Sequence, residues 1–343
     1  AEGVKGGMTG RAGFVLVSQA TILGETLNAT VMDSDSWSDR NLDTHKVLNF
    51  GFQEEFGWTV DENAFTVETR TGFYDFNNGV YTITGSDGDD NVQIWRYAND
   101  MQVQVNGVSE WLPIDDLTQI DINTLGGNDD IRISGTPQGL PININAGADN
   151  DTIVIGTGVG LDIVDTSLYV VGGGGVDELQ FNDTGAASAQ TYRLRQGGVM
   201  RSGEALAGYT GIEEIRIDGT SYDDVFEING VDNAIELHLK GRYGIDTLVA
   251  DDQSNTWKVT GQNRGELNGD DFRDIENLTG GSSSDVFLFF DLAGLSGSVD
   301  GDSGTDELNY SQYDSGVTVD LGAGTASNIS GNIHSIENVT GSM

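Results

Sequence analysis

The stretch "NTLGGNDDIRI", Asn123–Ile133, decides how this chain is read, because "NAGADNDTIVI", Asn145–Ile155, echoes it 22 residues later. In each copy a six-residue turn closes on an aspartate, Asp129 or Asp151, and apolar residues alternate with polar ones after it. Alternation with a period of two marks a β-strand. A strand–turn–strand unit that returns in register marks a repeat architecture.

Outward from these copies the unit occurs eight times: GSDGDD (85–90), TLGGND (124–129), AGADND (146–151), GGGGVD (172–177), GTSYDD (219–224), GRYGID (241–246), GGSSSD (280–285) and GDSGTD (301–306). Two residues before the turns stand Ile83, Ile122, Ile144, Val170, Ile217, Leu239, Leu278 and Val299. Two residues after the closing aspartates stand Val92, Ile131, Ile153, Leu179, Phe226, Leu248, Phe287 and Leu308. Two further on come Ile94, Ile133, Ile155, Phe181, Ile228, Ala250, Phe289 and Tyr310, so that all 24 flanking positions are apolar.

The closing aspartates are 39, 22, 26, 47, 22, 39 and 21 residues apart, which reads as ten steps of about 21.6 residues. A step of that size predicts an all-β fold: a parallel β-helix, or β-solenoid, of about 21–22 residues per coil with three short strands in each. Precedent for parallel crossovers favours a right-handed coil. With coils ~4.8 Å apart the ten steps would make a rod of roughly 48 Å. Glycine supplies positive φ at the tight corners, and aspartate either bonds nearby amides or offers oxygen to a cation. Coils near Asn106-Gly107 and Gly265 lack the motif and are expected to use looser turns.

Composition bounds the function. Of 343 residues, 55 are acidic and 16 basic, a net charge of -39. That charge excludes nucleic acid and anionic membranes as natural partners and favours divalent cations, above all calcium. There are no cysteines, so neither disulfides nor thiolate metal sites contribute. No apolar run reaches the ~20 residues of a membrane span. The opening "AEGVKGG" lacks the order of a signal peptide and reads as the start of a mature or excised chain.

The phrases GGGGVDELQ (172–180) and GDSGTDELN (301–309) resemble the nonapeptide G-G-x-G-x-D-x-φ-x of RTX (haemolysin-type) calcium-binding proteins. IENLTGGSSSDVF, GSDGDDNVQI and TLGGNDDI also resemble the degenerate repeats of giant bacterial surface proteins. The resemblance covers roughly residues 80 to 343. It implies a secreted protein whose turns are stapled by Ca2+. RTX nonapeptides are contiguous, two to a coil, whereas here the motif comes once per coil, so a wider β-helix is expected rather than a true roll. The candidate metal ligands are Asp87, Asp89, Asp90, Asn128, Asp129, Asp149, Asp151, Asp177, Asp224, Asp246, Asp285, Asp302 and Asp306. Calcium would bridge adjacent coils at Asp129 with Asp151, Asp224 with Asp246, and Asp285 with Asp306. The plainer alternative is that each aspartate caps its own corner.

Residues 1–78 show none of this register and are expected to form a β-rich N-terminal cap or small β domain, with the repeat domain occupying 79–343. "DSDSWSD", from Asp33, spaces Asp33, Asp35 and Asp39 like a calcium loop but lacks the loop glycine and closing glutamate, and reads as a solvated acidic loop. No nucleophile elbow, phosphate loop or zinc motif is present, and His45, His238 and His334 are scattered. The one basic constellation is Arg193, Arg195, Arg201, Arg216, Lys240 and Arg242, joined by His238. Arg216 and His238 both stand three residues before a turn and should stack outward on neighbouring coils. They could serve a lyase, epimerase or binding module acting on acidic polysaccharide, or simply neutralise an acidic rod.

The resulting expectation is a non-enzymatic extracellular module, structural or adhesive, of a bacterial cell-surface protein or fibre. Its partners would be copies of itself, other cell-surface segments or polysaccharide. The final "IENVTGSM", Ile336–Met343, matches the start of "IENLTGGSSSD" and is expected to be the opening of an unfinished coil.

Overall fold

The computed structural model describes residues 5–9, 13–22, 25–34, 74–77, 79–97, 100–156, 160–164 and 168–342. Asp35, Asp39 and His45 lie outside the described residues. Strands Lys5–Thr9, Gly13–Ile22 and Glu25–Ser34 form a three-stranded antiparallel sheet. Apart from a two-stranded ribbon of Val319–Asp320 and Thr325–Ala326, the remaining described strands form a β-solenoid of two long sheets, of 14 strands (sheet I) and 13 strands (sheet II), joined mostly by parallel pairing.

Each coil contributes one strand to each sheet rather than three strands to three. The chain passes from Gln119–Asn123 in sheet II, through the turn at 124–129, to Asp130–Ile133 in sheet I, and then back to Ile142–Ala148 in sheet II. A third face survives only as isolated parallel bridges such as Thr136↔Val164 and Gln262↔Gly294. The reason is chain length: two strands of four to seven residues and one six-residue turn use most of a 22-residue coil.

The 24 flanking residues named above all lie in the core, none more than 8% exposed. Strand pairing stacks them coil upon coil, as in Val92–Ile131–Ile153–Leu179–Ile215 through sheet I. Burying such side chains contributes ~1.5–3 kcal/mol each.

The first long interval is not a skipped coil, whereas 177–224 and 246–285 each run past one coil because the motif changes corner. Asp90 and Asp129, 39 residues apart, lie in adjacent coils, because the backbone N–H of Asp90 donates to Oδ1 of Asp129 (2.8 Å). The extra residues form an antiparallel meander, Asn91–Tyr97, Asp100–Val105 and Val108–Pro113. Similar meanders widen sheet II (Thr191–Arg195, Gly198–Arg201, Glu204–Thr210) and sheet I (Thr256–Gly261, Arg264–Leu267, Asp270–Arg273). Asn106-Gly107, Ser202-Gly203 and Asn268-Gly269 each join two meander strands with positive φ at both residues. That is the two-residue hairpin turn whose twist matches its strands, so the expected loose coils are tight hairpins. The two inner meanders also have aromatic cores. Tyr192 stacks on Phe226, and Trp257 stacks on Phe287.

Candidate functional site: three carboxylate ladders

At each turn the closing aspartate is buried while the residue before it faces outward. At every turn but the first, Oδ1 of the aspartate accepts the N–H of its counterpart in the preceding coil, whereas Asp90 Oδ1 accepts from Asn106 Nδ2. Thus Asp129 accepts from Asp90, Asp151 from Asp129 and Asp177 from Asp151, at 2.8–2.9 Å. The series ends at Glu213, whose Oε2 accepts from Asp177 (2.9 Å). A second ladder runs from Gln190 through Asp224 and Asp246 to Glu276. A third runs from Asn255 through Asp285 and Asp306 to Glu337. Every link satisfies a backbone N–H that the close stacking of corners would otherwise strand.

The outer residues form a counter-ladder of opposite polarity. Asp89 accepts from the N–H of Asn128 (2.8 Å), Asn128 from Asn150 (3.1 Å), and Asn150 from Val176 (2.8 Å). Asp223 accepts from Ile245 (2.8 Å) and Ser284 from Thr305 (3.2 Å). The last outer residue of the first two series, Val176 or Ile245, has no later turn of its ladder to serve, and here the sequence drops the acid or amide.

The three ladders alternate between the solenoid's two corners. The first and third precede strands of sheet I, and the second precedes strands of sheet II. Two kinds of turn follow. In the opening turn of each ladder, Oδ2 of the closing aspartate accepts the N–H of the turn's second residue, as in Ser86 to Asp90, Thr220 to Asp224 and Gly281 to Asp285. In the five later turns, positions two and four both have positive φ: Leu125 and Gly127, Gly147 and Asp149, Gly173 and Gly175, Arg242 and Gly244, Asp302 and Gly304. Left-handed backbone there replaces that bond. Oδ2 of Asp129, Asp151, Asp177, Asp246 and Asp306 is left buried without a hydrogen-bond partner.

First-position glycine has a different cause from the expected positive φ. A Cβ on Gly241 would sit 2.3 Å from Oδ2 of Asp246 and 2.2 Å from the carbonyl O of Asp274, and Gly172 and Gly301 are as tightly enclosed. Glycine is there for space.

Burial raises the carboxyl pKa of Asp129, Asp177 and Asp306 and neighbouring carboxylates add to it, while the Thr124 hydroxyl beside Asp129 and the backbone N–H bonds partly offset it. For Asp151 the same causes push it from 3.8 to about 7, with Asp129 and Asp177 as the ladder neighbours. Asp246 is likewise pushed to about 7, by burial and then by Asp224 and Glu276.

Asp87, Asp149 and Asp302 are exposed rather than part of the buried ladders, although Asp149 Oδ2 reaches the N–H of Gly127 (3.4 Å). Sequence reading overlooked Glu213, Glu276 and Glu337, whose signal is I-E-E or I-E-N before a strand. It also overlooked the outer acceptors Asn150, Asp223 and Ser284. Among the described residues no three His, Asp or Glu side chains converge as a metal site, so any cation at a turn would need backbone oxygens as well.

The basic constellation is divided. Arg193 and Arg195 lie on sheet II, where Arg193 pairs with Glu227. Arg216, His238 and Lys240 lie on sheet I, with Arg216 directly opposite His238 in adjacent coils, and Arg242 sits in a turn. Arg216, Asp218, His238, Lys240, Asp271 and Arg273 line a groove of about 360 Å³. Its arginines are matched: Arg216 with Glu178 (2.9 Å) and Arg273 with Asp271 (3.2 Å). His238 stands 3.6–4.0 Å from Glu214, Glu236 and Asp271.

Fold and corners together define an all-β solenoid built from acidic, glycine-bearing turns. Part of it is similar to Cytolysin RtxA of Kingella kingae, with 26% identity over 153 residues, covering 38% of this chain and 16% of that protein. The chain thus spans a small part of that relative's length. No protein-family model and no solved structure matches the chain. The similarity supports a bacterial repeat protein with RTX-like repeats and goes no further.

Proposed function

We propose that this chain is an extracellular structural or adhesive module of a bacterial cell-surface protein or fibre, and that calcium orders its turns. The observation that carries this reading is the set of five buried, unpartnered Oδ2 atoms at Asp129, Asp151, Asp177, Asp246 and Asp306. An orphaned carboxylate oxygen in a negatively charged corner suits a hard cation, and the stacked turn backbones offer carbonyl oxygens nearby. At Gly173 a Cβ would lie 1.9 Å from the carbonyl O of Gly147 in the coil before, which is how closely the backbones approach. Bound calcium would neutralise carboxylates that otherwise repel along the ladder. Asp129, Asp151, Asp177, Asp246 and Asp306 would be the side-chain ligands, and the opening turns at Asp90, Asp224 and Asp285 would stay self-capped.

The similarity to an RTX cytolysin supports a secreted or surface location. We read the module as non-enzymatic, since the groove's arginines are engaged by carboxylates rather than held free for a substrate. Copies of itself or neighbouring surface segments would add at the edge strands Asn338–Thr340 and Ile333–His334, which end the two sheets. The test is thermal unfolding in millimolar calcium against chelator. A Tm that rises with calcium supports the reading, and an unchanged Tm removes calcium from it.

A further inference from the structure

The first meander carries a surface that the ladders do not explain. Its outward row is Trp95–Gln102–Trp111 across three strands, with Gln93–Gln104–Ser109 beside it. Neither row contains a charged residue, in a chain of net charge -39, and Tyr97 stands in the next row, opposite Asp100. Tyr97 and Trp111 are 49% and 42% exposed, and their rings meet at 5.2 Å with a 50° tilt. Among the described residues this is the one contact between two exposed rings. The neighbouring amides are already oriented: Gln104 Nε2 donates to Ser109 Oγ (2.9 Å) and Gln93 Nε2 to Asn91 Oδ1 (2.6 Å).

We propose that this face binds a neutral polysaccharide, with Tyr97 and Trp111 stacking on sugar rings and Gln102 bonding their hydroxyls. A pyranose offers an apolar C–H face ringed by hydroxyls, and this surface presents the matching features. Its rigid aromatic area costs little conformational entropy to order, and amides stand among the rings. Exposed contiguous aromatics in a soluble chain mark an interaction site. The absence of cations selects against uronates, as the net charge does for any polyanion. The site stands on a rigid three-stranded sheet, and the proposal does not depend on calcium.

The experiment is pull-down of the full chain on microcrystalline cellulose, chitin, insoluble xylan and starch granules, with polygalacturonate as the anionic control. Tryptophan fluorescence titration with soluble oligosaccharides of the retained type follows. Tyr97→Ala and Trp111→Ala should each weaken binding about tenfold or more, while Trp111→Phe keeps part of it. Tyr169→Ala, at an exposed tyrosine on sheet II, should change nothing. The calcium-dependent Tm of each variant should match wild type, which separates loss of the face from loss of the fold. Retention on none of the neutral glycans overturns the proposal, as does retention that survives both alanine variants. Preferential retention on polygalacturonate overturns it in favour of the basic groove. Self-association abolished by Trp111→Ala would reassign the face to a second copy of the chain.

Discussion

Asp151→Asn should change the sign of its effect on stability according to whether calcium is present. In wild type, Asp151 Oδ1 accepts the N–H of Asp129 (2.8 Å) while Oδ2 is buried and unpartnered. Asparagine keeps the acceptor and removes the charge. Burial and its ladder neighbours push this carboxyl from 3.8 to about 7. At ~1.4 kcal/mol per tenfold change in proton affinity, that gap corresponds to ~4 kcal/mol of destabilisation when the group is fully ionised. Relaxation and water entry around a buried ion reduce it to ~2 kcal/mol. In chelator at pH 8 the variant should therefore melt roughly 3–4 °C above wild type. In millimolar calcium it loses a carboxylate ligand and should melt below wild type. Differential scanning calorimetry in both buffers reads the two signs. Destabilisation by the same amount in both conditions would refute the reasoning, since it would mean that Oδ2 has an uncharged structural role.

Acidification should act like calcium on the chelated wild type. The folded-state pKa of Asp151 and Asp246 is raised above the unfolded value, so their contribution is fully present below about 3.8 and lost as pH rises through about 7. Tm in chelator should thus rise as pH falls from 8 towards 5, and calcium should flatten the slope; a falling Tm would contradict it. Gly241→Ala should destabilise by ~2 kcal/mol or more, since its Cβ meets Asp246 Oδ2 and the Asp274 carbonyl. Gly107→Ala, with φ +79 and open space around it, should cost only ~1 kcal/mol of backbone strain. Urea unfolding of the two variants compares them. Glu276→Ala should cost ~1–3 kcal/mol by stranding the N–H of Asp246, while Glu276→Gln keeps the acceptor and most of the stability. Equal losses for the two would show that the link is not a hydrogen-bond cap.

Much of the solenoid was legible because its two strongest signals are local. Residues such as Ile131 and Ile133 alternate with polar ones on a strand whose one face is core, and the turn's closing aspartate marks where the strand starts. Coil shape was less legible, since 22 residues accommodate two strands with long connections as readily as three short ones. The 39-residue interval between Asp90 and Asp129 fits either two coils or one coil with a hairpin. Asn106-Gly107 held the answer, as the sequence pair that most strongly signals a two-residue hairpin.

The buried ladders were half visible. Asp129 and Asp151 announce themselves, but the partner of each is an N–H in another coil, and no sequence pattern names a backbone atom. Change of corner is invisible for a related reason: the turn at 219–224 reads like the others, although it leads from sheet I to sheet II. Glu213, Glu276 and Glu337 look like ordinary surface acids until each is seen to end a series. "IENVTGSM" is sharpened in the same way. Glu337 closes the third ladder, and Asn338–Thr340 pairs in parallel with Glu307–Gln312 at the end of sheet I.

The central claim is that calcium binds at the later turns of the ladders, and counting ions tests it most directly. Native mass spectrometry of the chelated protein titrated with calcium should show cooperative filling to five ions, one for each orphaned aspartate oxygen, with Asp151→Asn removing one. A protein that binds no calcium, or whose count is unchanged by Asp151→Asn, would contradict the account.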